Sequence, residues 1–196
     1  MLRKGFVWGI GATVIVVLGY WGMSSGAKDS GTQTGIPAET VADHVHAVLQ
    51  ADRAFYTIDV VERMQAKGIV VASENWRETN TLPLPAQFLQ ESNRLVGSTR
   101  TGIGYRLTSL WPINKRNGPK TESEHAGLQE TLLHPTRPYT EVVMNGQDLY
   151  LQAVYADKAV SQACIGCHNA HPDSPKRDFK QNDVMGGMIV TIPLNK

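Results

Sequence analysis

The sequence contains two cysteines, and they stand three positions apart in Cys164-Ile165-Gly166-Cys167-His168. Cys-x-x-Cys-His is the spacing of a c-type haem attachment site. On a short helix the two thiols sit about one turn apart, and from there they can reach the two vinyl groups on one edge of a haem and form thioethers. The imidazole after Cys167 is then carried beneath the ring, where neutral His ligates iron on the proximal side. Its other ring nitrogen normally donates to a backbone carbonyl or a carboxylate. Three other uses compete. A redox dithiol usually opens a helix directly after a buried strand, whereas Lys158-Ala159-Val160-Ser161-Gln162-Ala163 is polar and small. Zinc could recruit Cys164, Cys167, His168 and His171, but structural zinc generally draws ligand pairs from two separated segments. A disulfide closed across two residues would be strained. The expected cofactor is one covalently attached haem c. With no catalytic motif beyond it, an enzymatic role is not expected.

Thioethers would consume both cysteines, which leaves His or Met as the distal ligand, with water or Tyr56 behind them. Met64, Met144, Met185 and Met188 are candidates, but Met is an ordinary filler of core gaps. His44 and His46 are two residues apart, hence about 200° apart around a helix axis, and cannot both face one iron. The helical wheel puts His44 at the border of a Val41/Val45/Val48 face. It puts His46 on the other side, in one stripe with Arg53. That pair could give iron an imidazole and a haem propionate a guanidinium, which binds carboxylates bidentately. His46 is therefore the distal candidate, with His44 as runner-up. Arg106 is a second candidate for a propionate, followed by Lys115, Arg116, Lys176 and Arg177. Tyr105, Trp111 and Phe179 could wall the haem or serve as core aromatics. His125 and His134 read as surface residues, and His171 as proximal support or surface.

These groups need a scaffold. A helical pattern opens at Pro37-Ala38-Glu39 and runs to about Lys67, with Val41, Val45, Val48, Leu49, Phe55 and Tyr56 on one face and Gly68 ending it. Ile69-Val70-Val71 is of uncertain state. Pro85 is placed to begin a helix through about Val96. Ile103 to Trp111 alternates as a strand. Thr121 with Glu124 forms a capping box for a helix to about Leu133, closed by His134-Pro135. Thr140–Met144, Asn145-Gly146 and Asp148–Tyr155 read as a hairpin about a type I′ turn. The haem segment, a polar loop from His171 to Asp183 and a last strand, Gly187–Ile192, complete the chain. This order implies an α+β domain with an antiparallel sheet and flanking helices.

At the start of the chain, Arg3 and Lys4 precede an uncharged run from Gly5 to Met23. That is near the minimum length for a transmembrane helix, with the N-terminus inside. Ser25-Gly26-Ala27 also resembles a cleavage site, so a removable signal peptide is the alternative. The expected organisation is an anchor or signal at 1–23, a flexible linker at 24–36, and one exported domain at 37–196. It would sit at the inner membrane, single-pass, with the domain in the periplasm. Charge is nearly balanced, 19 Lys+Arg against 18 Asp+Glu, which gives no case for a nucleic-acid partner.

Several runs resemble the exported haem c-binding, PAS-like sensor domains, often fused to histidine kinases, cyclases or chemoreceptors. They are Pro83-Leu84-Pro85-Ala86, Tyr105 through Asn114, Asn117 through Glu122, and Cys164 through Gly187. The run from His46 to Arg53 is similar to the corresponding helix of that family. The resemblance covers roughly residues 40 to 194. It implies a PAS-like fold, one covalent haem on Cys164, Cys167 and His168, and redox or small-gas sensing; the helical pattern from Pro37 would make the long N-terminal helix of that fold. The sequence stops at Lys196, so sensing is expected to act through a separate partner protein. The alternative is a membrane-tethered one-haem electron carrier.

The topology has a direct test. Protease added to intact spheroplasts should digest residues 37–196 while the protein fractionates with membranes. A soluble form starting near Lys28 would show a cleaved signal.

Overall fold

Pro37 sets the extended backbone from which the first helix, α1 (Ala38–Phe55), begins. The protein, described by a computed structural model over residues 35–194, places the expected membrane segment and most of the linker outside that range. Among the described residues no helix is long and apolar enough to cross a membrane. α1 continues through a π-helical segment (Tyr56–Glu62) into a last turn, α2 (Arg63–Ala66). The Thr57 hydroxyl donates to the Arg53 carbonyl at 2.7 Å where the widening starts, competing for an acceptor of the backbone ladder. Gly68 ends the run with φ of 65°. Its N–H reaches the Gln65 carbonyl at 2.9 Å and the Ile69 N–H reaches that of Met64 at 3.0 Å, the paired bonds of a Schellman ending.

A short parallel pair, β1 (Ala72–Ser73) and β2 (Leu82–Pro83), brackets α3 (Trp76–Thr79). α4 (Pro85–Gly97) starts at proline, with the Leu84 N–H donating to Gln87 Oε1 at 2.9 Å. The main sheet comprises β3 (Gly104–Thr108), β4 (Tyr139–Asn145), β5 (Asp148–Lys158) and β6 (Val184–Pro193). Its order is β3-β6-β5-β4, antiparallel throughout. α5 (Glu122–Leu133) lies between β3 and β4, and α6 (Gln162–Ala170) between β5 and β6.

Strand alternation gives the sheet two apolar faces. Tyr105, Leu151, Ala153, Tyr155, Met188, Val190 and Ile192 pack with Ala42 and Leu49 of α1 and Leu89 of α4. Val154 and Ile189 pack with Leu128 of α5 on the other face. α5 approaches closely because Gly127 faces the sheet: a Cβ there would lie 2.6 Å from Val154 Cγ2 and 2.9 Å from Tyr139 Cδ1.

Three local expectations change. α1 is rotated from the wheel: Ala42, Leu49 and Arg53 are buried, whereas Val48 and Phe55 are exposed. The sheet takes the stripe carrying the buried ion pair of Arg53, and apolar periodicity cannot see that choice. The hairpin loop is one residue later than expected. Asn145 pairs with Asp148 across the ladder, so Gly146 and Gln147 are the central residues. Gly146 has φ of 67° and Gln147 has no positive φ, the pattern of type II′ rather than I′. The capping box of α5 is half made. The Glu124 N–H donates to Thr121 Oγ1 at 3.2 Å, but the Glu124 carboxylate accepts from the Lys120 N–H and from Arg106.

Gly127→Ala should destabilise the domain by about 1–3 kcal/mol through overpacking, read from urea unfolding. Gly97→Ala, where a Cβ meets nothing within 4 Å, should be neutral or slightly stabilising.

Candidate functional site

α6 begins after a short turn at the end of β5 and carries Cys164, Cys167 and His168 together. Ile165 fixes its orientation by packing with Phe179 and Met185, beside Trp111 and Ala159. Asn169 clips the following loop at two points. Its Nδ2 donates to the Phe179 carbonyl at 2.9 Å and its Oδ1 accepts from the Phe179 N–H at 3.0 Å. Phe179 then meets the His168 ring edge-on, with centroids 6.0 Å apart.

Both thiols are free. Cys164 Sγ lies 3.5 Å from the Ser161 hydroxyl. Partial burial, Cys164 and Glu74 push the Cys167 thiol above its ordinary value, the opposite of what an activated redox dithiol needs. A strand does precede α6 closely, but β5 and β6 are antiparallel neighbours, unlike the parallel unit of thioredoxin-type motifs. Nδ1 of His168 is buried and has no hydrogen-bond partner. Burial holds this imidazole below its ordinary value, with Asp157 opposing and His171 reinforcing. A neutral, unpartnered imidazole is the form that ligates metal. His171 is engaged elsewhere: its Nε2 lies 3.4 Å from Glu74 Oε1 and its Nδ1 accepts from the Asp173 N–H. Among the described residues no three His, Cys, Asp or Glu side chains are placed to share a metal ion.

His46 is half-buried and stacks flat on Tyr155, with centroids 3.9 Å apart and planes within 4°. The Tyr155 hydroxyl donates to Asp43 Oδ1 at 2.7 Å, and burial together with that carboxylate raises its pKa strongly. His46, Tyr155 and Asp43 line an open cleft of about 380 Å³, closed on one side by Pro135–Pro138. Burial lowers the pKa of His46, Asp157 and Asp43 oppose this, and Arg53 adds to it. His44 is exposed. Asp157, at the end of β5, thus raises the pKa of both His46 and His168 against the effect of burial.

Arg53 holds that carboxylate. Its Nη1 donates to Asp157 Oδ2 at 3.1 Å and its Nη2 pairs with Oδ1. Nη2 also reaches Gln50 Oε1 at 3.1 Å, while Nε is buried without a partner. Arg106 is paired with Glu124 under α5. Both arginines singled out for propionates therefore have protein carboxylates as partners. Tyr105 is core, with its hydroxyl on Ser92 Oγ at 2.7 Å. Tyr56 donates to the Pro83 carbonyl at 2.7 Å and stacks on Phe88. Met185 and Met188 are buried in apolar clusters and Met144 is exposed on the hairpin. Lys176 lies over the Trp111 and Phe179 rings. Sequence reasoning missed Asp43, Tyr155, Asp157 and Asn169, because each acts through a partner distant in the chain.

The family model described as Tll0287-like matches residues 32–193. The chain belongs to the Tll0287-like family. That match spans α1 through β6, so both α6 and His46 lie within the Tll0287-like domain. A solved structure titled "Crystal structure of the cyanobacterial heme-protein Tll0287" is 15% identical, covering 82% of this chain and 99% of that one with a TM-score of 0.49. No curated protein matches.

Breaking the Arg53–Asp157 pair from one side should be costly. Arg53→Met should lose about 3–5 kcal/mol by leaving a largely buried carboxylate uncompensated, and adding Asp157→Leu should recover most of it. Urea midpoints of the two variants check this.

Proposed function

We propose that the chain is a haem c-binding module that responds to redox state or a small gas and acts through a partner protein. The observation that carries this is α6. It presents two free thiols one turn apart and a buried imidazole with an unpartnered nitrogen, all in Cys-x-x-Cys-His order. Such a donor set fits a haem c. Cys164 and Cys167 would hold it by thioethers and His168 would be the proximal ligand. Membership in a family named after a protein described as a cyanobacterial haem protein agrees with this.

The distal residue we propose is His46, with His44 as the lesser candidate. His46 is turned toward the sheet and borders the cleft, whereas His44 faces solvent. When bound, the haem would supply reversible one-electron chemistry and a site for small ligands. The chain's own residues do the rest. Phe179 and Asn169 hold the His168 ring, and Tyr155 holds that of His46.

Sensing is favoured over simple electron transfer by where the two imidazoles originate. His168 is on α6 and His46 on α1, and Arg53 to Asp157 is the ion pair that ties α1 to the strand leading into α6. Gain or loss of the His46 contact would bear on the seating of α1, giving two states with different ligand affinities. We read the sheet and its helices as PAS-like, exported and held at the inner membrane by residues 5–23. The partner would be a membrane signalling protein.

Matured with a cytochrome c assembly system, the protein should retain haem through denaturing electrophoresis and stain for peroxidase activity. Cys164→Ala with Cys167→Ala should abolish the stain, and stoichiometric zinc in the native protein would contradict the reading. His46→Ala should make the iron high-spin or open to CO, and His44→Ala should leave the spectrum unchanged. A wild-type low-spin iron inert to CO and NO in both redox states would favour the electron-carrier alternative.

A further inference from the structure

The four-stranded sheet has two edges, and they are finished differently. At the β3 edge the Tyr105 N–H donates to Asn93 Oδ1 at 2.9 Å, and just past the strand the Ser109 N–H reaches the Asn117 carbonyl at 3.0 Å. The other edge is β4, whose ladder with β5 is regular from Tyr139 to Asn145. Asn145 and Asp148 flank a two-residue turn and so exchange both of their backbone bonds. The pairing alternates from there. Val143, Glu141 and Tyr139 bond to β5, while Met144, Val142 and Thr140 turn their N–H and C=O groups outward. The Leu194 N–H on the Leu149 carbonyl, on the far side of β5, fixes the same phase. Among the described residues no hydrogen bond reaches those outward groups.

Exposed edges are normally guarded by Lys, Pro or a bulge, and β4 contains none of these. Its one charge is Glu141, whose carboxylate is drawn toward α5 by the Ser123 and Tyr139 hydroxyls. On the face that carries α1, Val142 and Met144 are 56 and 71% exposed, beside exposed Leu149 and Leu194. An open edge next to an apolar patch is a template for another strand.

We infer that β4 pairs antiparallel with β4 of a second copy, about a two-fold axis through Val142. The order of residues along the edge selects its own copy. With Val142 opposite Val142, the outward residues form three hydrogen-bonded pairs, one of Val142 with Val142 and two of Thr140 with Met144. Glu141 falls opposite Val143 and Tyr139 opposite Asn145, so no charge meets its like. Shifting the register by two residues one way sets Glu141 against Glu141 and Met144 against Pro138, which has no N–H. Shifting it the other way runs Thr140 past the strand end, opposite Gly146 of the turn. The central register alone uses every outward group.

The helices leave room for this seam. α1 packs on β5 and β6, and α5 packs over β5. The two β5 strands would lie three strand spacings apart, about 14 Å, which exceeds a helix diameter of about 10–12 Å. The two-fold axis also puts both apolar patches on one face, with Val142 meeting Val142 at the centre. Such a contact is isologous and closes on itself, and the covered β3 edge offers no second site for growth. The dimer goes beyond the haem reading and does not depend on it.

The test uses the full chain under mild oxidation. Val142→Cys should give a disulfide-linked dimer, because the pair on the axis has Cα atoms about 5.5 Å apart, within disulfide reach. Met144→Cys is more exposed and on the same face, yet it should stay unlinked, because its counterpart lies four residues further along, about 14 Å away. The native chain treated identically gauges the contribution of Cys164 and Cys167. Thr140→Lys with Met144→Lys in the Val142→Cys background sets like charges opposite each other across the seam. It should cut cross-linking roughly tenfold with an unchanged far-ultraviolet circular dichroism spectrum, since both sites are exposed. The inference is overturned if Val142→Cys stays monomeric, as it would with residues 1–34 or a peptide partner along the edge. It is equally overturned if Met144→Cys links as strongly, or if the double lysine variant links undiminished.

Discussion

The buried pair of Arg53 and Asp157 is the constraint on which the arrangement of the site rests. Arg53 is 6% exposed on a helix whose apolar pattern points elsewhere. Burying a guanidinium without a partner would cost several kcal/mol, so α1 can seat in this rotation only because Asp157 waits at the end of β5. That seating turns Ala42, His46 and Leu49 toward the sheet and leaves Val48 and Phe55 in water. The same carboxylate stands near the start of α6 and acts on the imidazoles of both His46 and His168. One ion pair thus couples the orientation of the long helix, the end of the central strand and the two candidate ligands.

The remaining layers hold α6 still. β6 lies between β3 and β5 and is buried over most of its length. Its ladder with β5 is irregular at Asp157/Lys158, where Lys158 pairs with Val184. Met185, beside that irregularity, joins Ile165 and Phe179 beneath α6. Gly186 sits where a Cβ would come within 2.3 Å of the Thr108 carbonyl oxygen, so glycine there lets β3 and β6 close beside the site. Asn169 then fixes Phe179 to the helix by a reciprocal pair of hydrogen bonds. The result is a short helix braced on its inner side, with Cys164 and Cys167 left free.

Local chemistry was readable from the sequence. Pro85 at a helix start, Gly68 at a helix end, Thr121 as a cap and a hairpin near Asn145 all act within a few residues of themselves, and the structure has them there. The approximate extents of α1, α4 and α5 followed from the same signals. What was hidden depends on distant partners. The rotation of α1 was misplaced because apolar periodicity ranks Val48 and Phe55 above Arg53, and the partner of Arg53 lies 104 residues away. The capping glutamate was diverted because Arg106, 18 residues earlier, competes for it. β5 runs on to Lys158 and β6 starts at Val184, since ladder bonding extends strands past their apolar cores. Within the candidate site, the sequence offered Cys164, Cys167, His168 and His46 as candidates. Asp157, Tyr155 and Asn169 carried no sequence signal, because each is meaningful only beside its partner.

The central claim is that Cys164 and Cys167 carry a covalent haem beside His168. Intact-protein mass spectrometry of the matured chain, followed by peptide mapping, tests it most directly. The account predicts one haem mass per chain, located on the peptide containing residues 164–168, with neither cysteine reactive toward alkylating reagent. A chain of unmodified mass whose two thiols both alkylate after the same maturation would contradict it.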